Sequence, residues 1–99
     1  MRIDRIFYEA AKQNNFFKKL LLKIILDDWE NIVGSILAQK TWPLELKDGV
    51  LKIAHQDPIF ASELILRQRE ILEKLNLMLK GIDTVKTIKL IRRSEKGGK

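Results

Sequence analysis

The chain has 99 residues, of which 45% are hydrophobic and 32% are charged, with a net charge of +6 and a pI near 9.7. This length fits one small globular domain rather than two, and the composition excludes a disordered chain. The sequence contains no cysteine, which excludes disulfides and thiolate metal sites, and no apolar run approaches the roughly 20 residues that span a membrane. We therefore expect a soluble cytoplasmic protein without a membrane partner.

The N-terminal part of the sequence predicts helices. Over residues 3–12, four apolar residues share one helical face: Ile3, Ile6, Phe7 and Ala10. After a break at Asn14 and Asn15, a second amphipathic helix is predicted, with apolar residues at positions 16, 17, 20, 21, 24 and 25. Its three lysines lie away from that stripe, which we expect to pack into the core.

The next segment predicts a further helical stretch with an internal glycine. Asp27 and Asp28 precede Trp29 as capping candidates, and we expect Trp29 in the core. Gly34 inside a helix costs about 1 kcal/mol relative to alanine, so we expect another element to pack closely against it. Pro43 ends this helical region.

A β-hairpin is predicted around Asp48-Gly49, a pair suited to the positive φ angles of a type I′ turn. The alternation of the flanking strands places four residues on one apolar face: Leu44, Leu46, Leu51 and Ile53. Helices must cover that face.

One long helix is predicted after the hairpin, with Asp57 as N-cap, Pro58 at the first position and Gly81 as the C-terminal stop. A break near Asn76 would divide it, and the pattern leaves both possibilities open. Residues 86–92 then predict a third strand, with Ile88 and Leu90 on one face and Thr87, Lys89 and Ile91 on the other.

Several residues of this pattern resemble the DciA family. They comprise Trp29, Val33-Gly34, Thr41, Pro43, the run Leu46-Lys47-x-Gly49-x-Leu51-x-Ile53, Phe60-Ala61-x-Glu63-Leu64, and Ile71, Leu72, Leu75, Asn76, Val85, Ile88 and Lys89. The resemblance extends over roughly residues 18–91. It implies a small domain similar to a KH fold that binds the bacterial replicative DNA helicase and helps to place it on DNA.

These patterns predict an α+β, KH-like domain over residues 1–91. It comprises N-terminal helices, a three-stranded sheet that includes the hairpin, and a long helix before the last strand. Residues 92–99 are predicted to be a basic, flexible tail. The family that this sequence resembles often carries a longer flexible extension, whereas this sequence has only a short basic tail, which puts helicase engagement by an extension in doubt.

Basic residues are concentrated at both ends of the chain. Residues 1–26 and residues 81–99 each carry six basic and two acidic side chains, whereas residues 27–58 carry three basic and six acidic ones. Such a distribution favours an anionic partner. The ends form either one basic patch or two separate solvated faces.

Strand alternation predicts a surface that could bind phosphates. If the leucines and isoleucines of the sheet face the helices, Lys47, Lys52 and Lys89 emerge on the opposite face, with Arg92 and Arg93 just beyond it. We predict that these five residues bind single- or double-stranded DNA. The alternative is that they serve solubility or protect the sheet edge.

Trp42, beside Lys40 and before Pro43, is the candidate contact with a protein partner. It could instead stack on a base or cap the core.

No catalytic or metal-binding residue is predicted. The single histidine, His55, cannot form a cluster of histidine ligands, and the sequence contains no GxxxxGK[ST] phosphate loop. It also lacks the GxxG by which KH domains clamp nucleic-acid backbone, so binding should be modest and independent of sequence. The expected function is a non-enzymatic helicase-loading factor without a cofactor. The alternatives are a stand-alone nucleic-acid-binding module, for DNA or RNA, and an adaptor that binds only protein.

Overall fold

The computed structural model describes residues 15–93. Its elements in chain order are α1 (Asn15–Asp27), α2 (Trp29–Val33), α3 (Ser35–Lys40), β1 (Thr41–Lys47), β2 (Val50–His55), α4 (Pro58–Leu66), α5 (Gln68–Met78) and β3 (Thr87–Arg92). The α+β class predicted from the sequence is confirmed. The predicted helix over residues 3–12 and the tail beyond residue 93 lie outside the described residues.

The three strands form one mixed sheet in the order β1-β2-β3. β1 and β2 are antiparallel and form the predicted hairpin, and β3 pairs with β2 in parallel. The turn residues Asp48 and Gly49 have φ angles of 54° and 80°, as a type I′ turn requires. Ile88 and Leu90 lie beside Leu51 and Ile53 on the helix-facing side of the sheet, as predicted.

A β-bulge interrupts the alternation predicted for β1, so the face predicted for Leu44 is wrong. Leu46 pairs with Leu51 and Pro43 pairs with Ile53, so the register shifts between Pro43 and Glu45, and Leu44 is the extra residue. Pro43 therefore takes the helix-facing position that strict alternation gave to Leu44. Leu44 is only half-buried and lies outside the core.

The role predicted for Gly34 is wrong. Gly34 does not lie within a helix but separates α2 from α3, with φ 97° and ψ 160°. A Cβ atom at this position would have no neighbour within 4 Å, so no element packs closely against it. A side chain is disfavoured here because this backbone conformation is essentially restricted to glycine.

The long helix after the hairpin is divided at Arg67, not at Asn76. Asp57 caps α4 as predicted, because its carboxylate accepts a hydrogen bond from the Ile59 N–H at 3.0 Å. At the break, the Arg67 guanidinium donates to the Val33 carbonyl at 2.9 Å and fastens the two helices to the end of α2. Asn76 lies within α5.

Asn76 instead fixes the segment that leads into β3. Its side-chain amide donates to the Val85 carbonyl at 3.0 Å, and its side-chain carbonyl accepts from the Val85 N–H at 2.7 Å. These two bonds pair both backbone groups of the buried Val85 and hold the segment that leads into β3 next to α5.

The core lies between the helix-facing side of the sheet and the five helices of residues 15–93. Its fully buried members include Ile25, Ile32, Leu51, Ile53, Leu64, Ile71, Leu75, Leu79 and Val85. Trp29 is in the core as expected, and its indole N–H donates to the Thr41 hydroxyl at 3.2 Å. That hydroxyl in turn donates to the Leu37 carbonyl at 2.6 Å.

The buried stripe of α1 is narrower than predicted. Leu21 and Ile25 are buried, followed one turn later by Trp29, but Phe16 is 73% exposed and Leu20 is 43% exposed. Phe17, Leu22 and Ile24 are partly buried and pack against the core beside this row, so only Phe16 and Leu20 of the predicted stripe lie outside it.

Candidate nucleic-acid interface

Lysine side chains occupy the hairpin end of the outer face of the sheet, whereas Trp42 and Ala54 on the same face are buried. The register places Glu45, Lys52 and Lys89 side by side across the three strands, and Lys47 lies two pairs further toward the hairpin turn, on the same face. Adjacent strands are about 4.8 Å apart, so Lys52 and Lys89 are close neighbours. We refer to Lys47, Lys52 and Lys89 as the lysine face.

Glu45 divides the charge of the lysine face. Its carboxylate lies 3.2 Å from the Lys52 ammonium, and both side chains remain substantially exposed. Within residues 15–93, Lys47 and Lys89 form no ion pair, and both are exposed. The charge available to a phosphate is therefore greatest on Lys47 and Lys89, with Lys52 partly neutralised by Glu45.

Arg92 and Arg93 do not join the lysine face as a pair. Arg92 pairs with His55 and so takes a helix-facing position at the exposed end of β3. Arg93 lies beyond the strand, and its N–H donates to the His55 carbonyl at 2.9 Å. Both arginines are exposed, at the end of the sheet away from the hairpin turn.

Lysines outside the predicted set extend the positive charge around the hairpin. Lys18 and Lys19 of α1 lie with Glu45 and Lys47 around a cleft of about 280 Å³ between α1 and β1. A basic part of the N-terminal region therefore reaches the sheet lysines. The sequence placed Lys18 and Lys19 correctly off the apolar stripe of α1, but only the packing of α1 along β1 brings them to the hairpin.

Lys86 also lies at the hairpin turn, where its backbone and its side chain both contact Gly49. Its N–H donates to the Gly49 carbonyl at 2.7 Å, and its Cδ would lie 3.0 Å from a Cβ atom added to Gly49. The aliphatic part of the Lys86 side chain thus crosses directly over the glycine. The sequence predicted Gly49 as a turn residue but gave no sign that Lys86 packs against it.

Trp42 and Lys40, the predicted partner contact, differ in accessibility. Lys40 is the exposed last residue of α3, whereas Trp42 is only 5% exposed. The indole N–H of Trp42 is buried and has no hydrogen-bond partner among residues 15–93. A partner would reach Lys40 directly but would have to uncover the ring of Trp42.

His55 is 6% exposed at the end of β2, and its Nδ1 has no hydrogen-bond partner in the described part of the chain. Residues 15–93 contain no group of three or more histidine, aspartate or glutamate side chains that could hold a metal ion. Within the same residues, no helix is long and apolar enough to cross a bilayer.

The outer side of α4 and α5 combines apolar and charged groups. Leu66 is 80% exposed and Leu77 is 75% exposed, and both line a shallow groove with Arg69 and Glu73. On a neighbouring part of this surface, hydrogen bonds from Arg67 and then from Lys74 lower the pKa of the Glu70 carboxyl below its ordinary value.

Comparison with known proteins assigns this arrangement to a family. The family model described as "Dna[CI] antecedent, DciA" matches residues 2–90. A UPF0232 protein of Mycobacterium tuberculosis is 28% identical over 82 residues, which cover 83% of this chain and 43% of that protein. A UPF0232 protein of Rhodococcus jostii is 29% identical over 80 residues, covering 81% and 42%. The chain thus spans less than half the length of these curated relatives.

Proposed function

The chain belongs to the DciA family, and on that premise we propose that it is a bacterial replication accessory factor that binds the replicative helicase and DNA and assists helicase loading. The observation that carries this proposal is the family match over residues 2–90, which includes every described helix and most of β3. The role is non-enzymatic and belongs to the cytoplasm, where the replicative helicase acts.

DNA binds to the lysine face in this proposal. Lys47 and Lys89 are exposed and carry no ion pair within residues 15–93, so their ammonium groups can replace the counterions of phosphates. Arg92 and Arg93 add positive charge at the far end of β3. Such contacts carry no base information, so binding is independent of sequence and decreases steeply with added salt.

The helicase binds to a separate surface. The exposed Lys40, with the buried Trp42 two residues along the chain, is one candidate, and the groove at Leu66 and Leu77 is another. Large apolar side chains at 80% and 75% exposure support a protein contact, because their burial by a partner contributes roughly 1.5 to 3 kcal/mol each.

The test is light scattering after size exclusion of this protein mixed with the replicative helicase of the same source. We expect a complex whose molar mass exceeds that of the helicase by multiples of 11.6 kDa. The absence of a complex, both without and with single-stranded DNA, would refute the helicase role.

Two matched variants locate the contact. Leu66→Ser changes the groove, and Ile59→Ser changes an equally apolar side chain of α4 that is 67% exposed but outside the groove. We expect Leu66→Ser to weaken the complex and Ile59→Ser to leave it intact. Equal effects of the two variants would exclude the groove as the docking site.

A second candidate function is a stand-alone nucleic-acid-binding module without a helicase partner. The positive charge shared by the lysine face and α1 favours it, since that charge needs no second protein to bind a polyanion. Nucleic-acid binding that depends strongly on salt, combined with no helicase complex, would support this alternative.

A further inference from the structure

The cleft between α1 and β1 combines positive charge with an apolar surface. Lys18, Lys19 and Lys47 contribute the ammonium groups, and Leu22 and Leu44 contribute apolar side chains. The one carboxylate of the lining, Glu45, is engaged by the Lys52 ammonium at 3.2 Å, so the three ammonium groups set the charge of the cleft. We call this the α1–β1 cleft. Its volume of about 280 Å³ is near the lower limit of pockets that hold a small ligand, which suits one nucleotide rather than a duplex.

The β-bulge is the reason that Leu44 lies in this cleft. In a regular strand it would face the core beside Leu46, but the register shift leaves it half-buried at the edge of β1, outside the core. Bulges commonly redirect a side chain toward a functional site. Leu44 is therefore a large apolar side chain in a cleft that three lysines and one glutamate also line.

We propose that the α1–β1 cleft binds a nucleotide of single-stranded nucleic acid, with its phosphate on Lys18, Lys19 and Lys47 and its base against Leu22 and Leu44. This inference rests on the proposed DNA binding and names the form of nucleic acid that the site takes. A duplex keeps its base faces stacked inside, whereas a single strand can turn a base onto an apolar side chain. The pairing of ammonium groups with leucines therefore selects single strands.

The position of the cleft favours a nucleic acid over an acidic peptide. Lys47 belongs both to the α1–β1 cleft and to the lysine face, so it links the lysines of α1 to those of the sheet, although the Glu45–Lys52 pair lies between Lys47 and Lys89. Three strands span about 10 Å, and the charge continues onto the helix. A continuous polyanion can follow this path, whereas a single acidic group would occupy only one part of it.

The test compares Leu44→Ser with Lys89→Gln by fluorescence anisotropy on a single-stranded oligonucleotide, on the same strand with abasic sites, and on a duplex. Leu44→Ser removes apolar surface without changing charge, and Lys89→Gln removes a cation remote from the cleft. We expect Leu44→Ser to weaken single-strand binding by roughly fivefold, the lower end of a base contact, and to leave the duplex and abasic strands unchanged. Lys89→Gln should weaken binding to all three.

The abasic strand also tests the wild-type protein, so the experiment does not depend on the folding of a variant. Wild-type binding should decrease by the same factor when the bases are removed. Equal effects of Leu44→Ser on single strand, duplex and abasic strand would overturn the α1–β1 cleft as a nucleotide site while leaving DNA binding intact. The α1–β1 cleft would likewise be overturned as a nucleotide site if Leu44→Ser weakened only the helicase complex. No binding of any strand by the wild-type protein would refute both proposals.

Discussion

Replacing Glu45 by glutamine should strengthen DNA binding. Glu45 lies on the edge strand β1 beside the lysine face, 3.2 Å from Lys52, and competes with a phosphate for that ammonium group. Glu45→Gln keeps the shape of the side chain and removes its charge. Because the pair is exposed, its loss should change the free energy of unfolding by no more than about 1 kcal/mol.

The size of the effect follows from counterion release. Freeing Lys52 adds at most one phosphate contact, which makes the slope of log K against log salt more negative by about 0.7 on single-stranded DNA. At about 0.1 M salt, one such contact corresponds to roughly fivefold tighter binding. The assay is fluorescence anisotropy of a labelled oligonucleotide titrated with protein between about 50 and 200 mM salt.

A matched variant separates this local effect from a change in net charge. Glu73→Gln removes the same charge from α5, which covers the opposite side of the sheet. We expect it to leave the salt slope unchanged. If Glu45→Gln and Glu73→Gln strengthen binding equally, or if neither does, DNA does not bind at the lysine face.

Three further predictions concern stability. Thr41→Val leaves the Trp29 indole N–H without a buried partner, while the Leu37 carbonyl still accepts from the Thr41 backbone N–H. The free energy of unfolding should therefore decrease by about 1 to 3 kcal/mol and Tm by roughly 5 to 20 °C, whereas Thr41→Ser should retain both side-chain hydrogen bonds and most of the stability. Equal Tm values for the two variants in thermal denaturation would refute the hydrogen-bond assignment. Gly34→Ala should cost about 2 kcal/mol through backbone strain alone, since the added methyl group meets nothing; an unchanged urea midpoint would contradict this. Glu70 has a lowered pKa in the folded state, so its carboxylate stabilises the fold above the unfolded pKa and loses that effect as pH falls through the folded pKa. Glu70→Gln should therefore lower Tm at neutral pH. A difference in Tm from the wild-type protein that persisted in acid would count against the prediction.

The hairpin, the third strand and the faces of their side chains were predictable because alternation and turn chemistry are local. The bulge at Leu44 was not, since one extra residue reverses alternation without changing composition. The break at Arg67 was also hidden: Leu64 and Ile71 are seven residues apart and share a face in a continuous helix as well as in a divided one. Gly34 was recognised as unusual, but sequence alone does not distinguish close packing from a positive φ.

The part of the candidate site that lies on the sheet was predictable from the sequence, and the part that lies on α1 was not. The register confirms that Lys47, Lys52 and Lys89 share the outer face, as alternation predicted, while their role in binding stays a prediction. Lys18 and Lys19 were missed as part of the same surface, because their distance from the hairpin depends on how α1 packs against β1. Contacts between elements distant in sequence leave no periodic signal.

Because β3 pairs with β2 in parallel, Lys89 joins the other lysines of the sheet late in folding. The hairpin joins neighbouring residues and can form early, whereas Val50 meets Thr87 only after α4 and α5 have crossed the sheet. In the hairpin alone, Lys52 lies against the carboxylate of Glu45. Lys89 arrives with β3, so a nascent chain held before that strand presents a weaker field to nucleic acid than the finished domain does.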